Sequence, residues 1–573
     1  MSSGVVANAE AAPPPETTSV ESGRGAVGWD GSLERWLDRQ LNLIVAAVIA
    51  AAFVARVIVA ARSFLNPDEA LHYIIINRNS VLSSYRVSLT NAHPPLIYLL
   101  VYYWRFLGRS ELMLRFPSVL AGTGFCWMAY KWIRSLFGKA AAVIGLVLIA
   151  FSPAMIALSA ELRSYAVLLF CETTALYLVE TALQEKSVRK MLYFSVFLYL
   201  AILSHYSAAF FVLAVGIYAL ARILGSEIPR KVILAWAGGQ AGALAVYGFL
   251  YVTHISKLRD LMMTWAMSFD QVFSHTGRQD LLKFTRERTL DIFSFLFENR
   301  YLAPALLLLW MVAISVLLFR EFAYRRAAPG TRHAGILLFL PLLAVWGASI
   351  AGYYPYVGSR HTVFLAPFVI AALSFLLAAA DRQKVWAAIV IAALLAAASN
   401  SSGKTLETPI AREDQSRTLM ASAVNHIRQT IPPGAVILTD YESALVLVYY
   451  LCGPELVLPV GTFNLPVSRV KCNGYTIGSF QTWSLEPAFF LANFGKMAQA
   501  QRLKPGDRVW VFQSGWQVVL GRQLPLSSPN FRCVTPENFG ANITLIPLVV
   551  DQDFSPAATL TSCTAPASSS GGN

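Results

Sequence analysis

Charge is what this sequence is short of. Asp, Glu, Lys and Arg make up 14% of the 573 residues, against roughly 25% in soluble domains, and the mean hydropathy is +0.52. That deficit excludes an ordinary soluble globular protein. A C-x-x-C spacing is missing among the six cysteines, so the usual signature of a zinc site is lacking. No internal repeat is present, and with it goes the inverted-repeat transporter pattern. Nor does an apolar run open the chain. Residues 1–40 include Ala11-Ala12-Pro13-Pro14-Pro15-Glu16-Thr17-Thr18 and read as a disordered cytoplasmic tail. A cleaved signal peptide would carry its apolar core nearer the start, so Leu41–Ala61 is expected to be a retained first helix. Acidic residues are outnumbered 33 to 46, giving a formal net charge of +13. Nucleic acid is not the partner this implies, because many basic residues punctuate the ends of apolar segments, where they orient helices in a membrane.

Apolar stretches are abundant from residue 41 to about 400, each near the ~20 residues that cross a bilayer as a helix. Spans are predicted at 41–61, 111–131, 140–160, 164–183, 191–205, 206–223, 231–252, 302–319, 334–352, 362–379 and 384–400. Spans 191–205 and 206–223 abut at Ser204-His205-Tyr206 with almost no loop. Pro95–Leu107 is apolar but too short to cross, and is expected to lie at the outer surface. With a cytoplasmic N-terminus, the groups Lys131/Arg134/Lys139, Lys186/Arg189/Lys190, Arg222/Arg230/Lys231, Arg320/Arg325/Arg326/Arg332 and Arg382/Lys384 all fall inside. The short outer connections carry only Arg163 and Arg360, as the positive-inside rule requires. Two long outer loops remain, about 62–110 and 253–301; the second holds amphipathic sequence such as Leu281-Leu282-Lys283-Phe284-Thr285-Arg286, expected to lie at the membrane surface.

The expected fold is therefore an α-helical polytopic membrane protein in the plasma (inner) membrane, with about 11 transmembrane helices over 41–400. Residues 401–556 form an extracytoplasmic domain, and the Ser/Thr/Ala-rich tail from 557 to 573 is expected to be disordered. Asp414–Gln429 reads as a helix, Ala435–Thr439 as a strand after Pro432-Pro433-Gly434, Tyr441–Leu451 as a helix and Arg508–Phe512 as a strand. Alternation of this kind predicts an α/β domain. Cys126 and Cys171 sit in apolar helices as small core residues. Cys452, Cys472, Cys533 and Cys563 fall in the outer domain and are expected to form two disulfides, with three connectivities open.

Chemistry concentrates after the first span, at Asn66-Pro67-Asp68-Glu69-Ala70-Leu71-His72-Tyr73. Adjacent carboxylates at the membrane boundary can supply a general base and a substrate-positioning group. The same residues also spell a helix start, with Asn66 as N-cap, Pro67 at N1 and Glu69 closing a capping box. Both readings hold together if Asp68 points elsewhere. In Asn91-Ala92-His93-Pro94-Pro95-Leu96 the prolines leave His93 at a loop edge, able to bind phosphate. Arg163, Tyr165, Arg360 and His361 lie at the outer ends of spans, where an arginine can also simply snorkel. Arg56 lies inside the first span, and ionisable groups at that depth face a protein interior or cavity. No cofactor is expected; the acidic pair leaves a divalent ion open.

The run Asp68-Glu69-Ala70 resembles the acidic first-loop motif of the dolichyl-phosphate-mannose protein mannosyltransferase superfamily, which includes the bacterial lipid A aminoarabinose transferase. His93-Pro94-Pro95-Leu96 and Arg115-Phe116-Pro117-Ser118 follow as in that superfamily, and Glu161-Leu162-Arg163-Ser164-Tyr165 looks like its next outer-loop motif. The resemblance covers about residues 41–400. It implies a GT-C type fold and inverting transfer from a polyprenyl-phosphate sugar to an extracytoplasmic acceptor of unspecified kind. By position Asp68 would be the catalytic carboxylate and His93 would stand near the carrier phosphate. Relatives often carry Asp shortly after the Arg163 position, where this chain has Ser164-Tyr165. The C-terminal domain does not resemble a β-trefoil, so a protein acceptor is not implied. Two other classes would use part of the pattern: a flippase for a lipid-linked sugar, needing the cations but no base, and a membrane-anchored sensor with an outer ligand-binding domain.

Overall fold

A computed structural model describes residues 29–258, 271–274, 280–323, 333–380, 393, 416–463, 465–516, 518–520, 526–527, 530–551 and 561–562. The predicted span 384–400, apart from residue 393, lies outside these residues, as do most of the two tails and Cys563. The first helix, α1 (Trp29–Arg62), leads into three short helices, α2 (Pro67–Ile76), α3 (Val81–Ser88) and α4 (Leu96–Trp104). The bundle continues with α5 (Glu111–Phe137), α6 (Lys139–Phe151), α7 (Pro153–Ser159), α8 (Tyr165–Gln184), α9 (Val188–Ser204), α10 (Ala208–Leu224) and α11 (Arg230–Leu250). Then follow α12 (Leu281–Phe297), α13 (Ala303–Ala323), α14 (Ala334–Ile350) and α15 (Ala366–Ala380).

By length and hydropathy, five described helices can cross a membrane: Arg39–Arg62, Glu111–Phe137, Tyr165–Gln184, Arg230–Leu258 and Arg360–Ala379. Ala208–Leu224, Ala303–Phe319 and Ala334–Ile350 are apolar but shorter, at about 1.5 Å per residue slightly less than the ~30 Å hydrocarbon core. The span expected at 140–160 is not one helix: α6 and α7 meet at a 62° bend. Pro153 causes it, because proline lacks the N–H that the Ile149 carbonyl would receive. Arg56 fills that gap. Fully buried, it donates to Ile149 O (3.4 Å), Ala150 O (3.2 Å) and its own Ala52 O (3.0 Å). Pro117 is handled alike, since Trp104 Nε1 donates to the freed Met113 carbonyl at 2.9 Å.

The C-terminal unit is an α/β domain. Strands β1 (Val436–Thr439), β2 (Val467–Cys472), β3 (Tyr475–Phe480) and β4 (Arg508–Ser514) form a sheet in the order β2-β3-β1-β4, extended by Ile543–Val550 and Phe531–Cys533. β1 runs parallel to both neighbours and is buried throughout, as a strand covered on both faces must be. Helices α16 (Arg417–Thr430), α17 (Tyr441–Leu447) and α18 (Pro487–Gln501) cover it. Cys452 and Cys472 are disulfide-bonded, with Cα atoms 5.2 Å apart. The bridge closes a loop of 20 residues, for which chain entropy predicts about 3 kcal/mol. Non-reducing peptide mapping should recover the linked pair, and Cys472→Ser should lower the melting temperature; two free thiols at these positions would refute the bridge.

The domain is seated on the loops between α1 and α5. Asn77 Nδ2 donates to Leu456 O at 2.9 Å and Tyr449 Oη to Arg109 O at 2.7 Å. Tyr73 reaches Pro454 O, Arg78 reaches Leu458 O, and Arg109 pairs with Glu455. Phe64 and Ala70 pack into the same apolar core as Met420, Val424 and Leu445 of the domain. α2 is thus clamped between bundle and domain.

Candidate active site

α2 begins with a capping box. Asn66 Oδ1 accepts from Glu69 N and Glu69 Oε2 accepts from Asn66 N, both at 3.0 Å, with Pro67 at the first helical position. Glu69, expected as a second catalytic carboxylate beside Asp68, has no exposed surface. Arg115 grips it with Nε to Oε1 at 2.7 Å and Nη2 to Oε2 at 2.6 Å, and Leu162 N donates to Oε1 at 2.7 Å. Arg115 also caps the end of α1, donating to Ala60 O, Ser63 O and Phe64 O at 2.7–2.8 Å. Four donors therefore hold the Glu69 carboxylate, and its geometry is that of a positioning group rather than one facing substrate.

Asp68 points the other way. Its Oδ2 lies 2.7 Å from Arg360 Nη1 and 3.2 Å from Arg163 Nη1. Burial alone would raise the Asp68 carboxyl, but the Arg163 and Arg360 guanidiniums outweigh it and hold the group well below the usual carboxylate range. Arg163 continues the network, with Nη2 donating to His93 Nε2 at 3.0 Å and to Tyr165 Oη at 3.3 Å. Because Arg163 can only donate, His93 accepts on Nε2 and carries its proton on Nδ1. Arg360 opens the 3₁₀ turn Arg360–Leu365, whose N-cap Ser359 fixes its start, and it remains about one-third exposed.

Asp68, His93, Arg163, Tyr165, Arg360 and His361 thus come together; Arg56 does not, being spent on the break after α6. Two histidines join that carried no assignment. His72, one helical turn beyond Asp68, bonds the Asp68 carbonyl through Nδ1 at 2.7 Å and stacks on Tyr98 at 4.8 Å. His205, in the junction between α9 and α10, lies 5.5 Å from the His93 ring and 6.2 Å from that of His361. With His72 5.6 Å from His93, four of the eight histidines form one file. Burial first, then Arg163, pushes His72 down to about 3 and His93 well below its ordinary value. The file is neutral, and the two arginines carry the positive charge. Among the described residues no group of three or more His, Cys, Asp or Glu could hold a metal ion. Glu161, which burial and the neighbouring Glu69 push up to about 7, lines the same loop as Arg163.

Residues 92–251 match the family model described as dolichyl-phosphate-mannose-protein mannosyltransferase. No curated protein matches the sequence. Among solved structures, the crystal structure of ArnT from Cupriavidus metallidurans bound to undecaprenyl phosphate is similar, with a TM-score of 0.50 and 13% identity over 88% of this chain and 97% of that one. The archaeal oligosaccharyltransferase AglB from Archaeoglobus fulgidus, in complex with an inhibitory peptide and a dolichol-phosphate, gives a TM-score of 0.43 and 12% identity, covering 83% of this chain and 70% of its own. The chain is a multi-pass membrane protein with the GT-C type helical fold that it shares with ArnT, and its residues 92–251 resemble the mannosyltransferase family.

Proposed function

We propose that this protein is an inverting glycosyltransferase that moves a sugar from a polyprenyl-phosphate carrier to an acceptor on the extracytoplasmic face of the plasma membrane. The observation that carries the reading is the Asp68 carboxylate shared between Arg163 and Arg360. In a single displacement the acceptor oxygen or nitrogen attacks C1 of the sugar as its proton passes to Asp68. The bond from C1 to the phosphate oxygen breaks, and its electron pair leaves with the carrier phosphate. Arg163 and Arg360 stabilise that charge where it develops, and His93 orients Arg163. One displacement inverts the anomeric centre. The orientation is supported by the basic residues at the ends of the spans opposite to the site.

The direct test incubates the purified protein with a panel of polyprenyl-phosphate sugars and follows release of free carrier. No release from any donor, in the presence of a broad acceptor pool, would refute the assignment. Arg360→Ala should cut transfer at least tenfold in a folded, inserted protein, an arginine contact to a phosphoryl group being worth about that or more. Arg360→Lys should restore only part, because lysine cannot reproduce the bidentate fork. Equal activity of the three proteins would mean that Arg360 only anchors its helix.

A further inference from the structure

The C-terminal domain has so far supplied no reacting group, yet the carboxyl ends of its strands meet the loop that carries Asp68. β1 is the strand at which the winding reverses: β3 lies parallel on one side and β4 parallel on the other. In open α/β sheets, ligands bind outside the carboxyl ends of the strands at such a switch point. Three connections leave those ends here: Asp440-Tyr441-Glu442 after β1, Gln481-Thr482-Trp483 after β3, and Gly515-Trp516 after β4.

These connections are tied to one another. Asp440 Oδ1 accepts from Ser443 N at 2.7 Å, and its other oxygen accepts from Gln513 Nε2 at 3.2 Å. Ser443 Oγ donates to Ser514 O at 3.1 Å and accepts from Ser514 N at 2.8 Å, while Tyr441 N donates to Thr482 O at 2.9 Å. The loop that carries Asp68 packs directly against these connections. A Cβ placed on Gly515 would stand 2.8 Å from Pro67 Cγ and 3.3 Å from Glu442 Oε2, so the Glu442 carboxyl lies beside the residue that precedes Asp68. Glu442 is 7% exposed. Burial, then Asp440 and Asp68, push its carboxyl up to about 8, against the opposing Trp516 backbone N–H and Arg360. At neutral pH it is mostly an uncharged acid, able both to donate and to accept. Tyr441 meets Phe463 and Trp483 edge-on at 5.8 and 5.5 Å, and Trp483 is half exposed.

We propose that the acceptor binds at the rim of this switch point and that it presents a carbohydrate, with Trp483 and Tyr441 receiving the sugar face and Glu442 positioning the attacking hydroxyl. Aromatic rings offer broad apolar faces at little conformational cost, and they suit the C–H face of a pyranose. A neutral carboxyl suits a hydroxyl that must keep its proton until Asp68 removes it. The proposal rests on the transferase reading above and names the substrate that reading leaves open.

The test uses the full chain in nanodiscs, a polyprenyl-phosphate sugar that it turns over, and two acceptor probes at matched concentration: neutral oligosaccharides and a Ser/Thr peptide. Oligosaccharides are expected to accept and the peptide not. Trp483→Ala and Glu442→Ala should each raise the oligosaccharide KM about tenfold or more, with a smaller change in kcat. Trp483→Phe and Glu442→Gln, which keep a ring and an uncharged donor, should recover part of it. Undecaprenyl phosphate titrated into the same variants reads the donor side, where a wild-type Kd is expected. Wild-type KM values in both alanine variants, or transfer to the peptide in place of the oligosaccharides, would overturn the subsite while leaving the transferase standing. Absence of carrier release by the wild-type protein would remove both.

Discussion

Asp68→Asn is expected to slow sugar transfer by about 10²–10⁴-fold, the range for loss of a positioned general base, while carrier binding survives. Asparagine keeps the size and one acceptor oxygen, so α2 and its cap are undisturbed. It cannot take up the acceptor proton. Arg163 and Arg360, now without a carboxylate to pair with, remain available to phosphate, and the affinity for free carrier should hold or rise. The pH dependence sharpens the assignment. Without donor, the two guanidiniums hold Asp68 far below the usual carboxylate range. The base form is the active one, so activity is lost as pH falls through the carboxyl pKa. When a carrier phosphate draws on the same guanidiniums, their hold on Asp68 weakens and its pKa rises. The acid limb of kcat, which reports the donor-bound enzyme, should therefore lie at higher pH than that of kcat/KM. Free-carrier release between pH 4 and pH 8 should show kcat/KM flat on the acid side while the kcat limb moves toward this window. Turnover by Asp68→Asn at the wild-type rate would remove Asp68 as the base.

How much of this was legible depended on how far apart in sequence the partners lie. The capping box is local, three residues from Asn66 to Glu69, and its pattern can be read directly. Asp68, Arg163 and Arg360 are distant in sequence, but the Lys/Arg asymmetry of the loops puts all three on one side of the membrane, and that was enough to group them. His72 was within reach of the same logic, since residues four apart share a helix face. Arg56 was expected to face a protein interior or cavity and is fully buried, but its partners were out of reach for a physical reason. Hydropathy sees residues 140–160 as one run, and only Pro153 and the carbonyls it frees explain why a buried arginine is needed there. Of the four C-terminal cysteines, Cys452 and Cys472 form a bridge; spacing alone could not have chosen that pairing. Glu442 was out of reach altogether, because its place beside Pro67 depends on how a sheet far away in sequence packs on the bundle.

Glu69→Gln should act on stability before it acts on chemistry. Its carboxylate accepts from Arg115 through two bonds, from Asn66 N and from Leu162 N, with no exposed surface on either member of the pair. Glutamine has one acceptor oxygen in place of two, and its amide would turn N–H groups toward a guanidinium that can only donate. Arg115 would be left as a buried, uncompensated charge, for which losses of about 3–5 kcal/mol are usual. It would also loosen its hold on Ala60, Ser63 and Phe64, where α1 ends and the Asp68 loop begins. A clear drop in melting temperature in detergent is expected, with part of the loss recovered in the double variant Glu69→Gln/Arg115→Met, since neither buried charge is then stranded. Protein that remains folded should transfer sugar far better than Asp68→Asn does, because the base is still present and only its placement is relaxed. A Glu69→Gln protein that melts like the wild type yet loses transfer as completely as Asp68→Asn would show that the two carboxylates had been assigned the wrong way round.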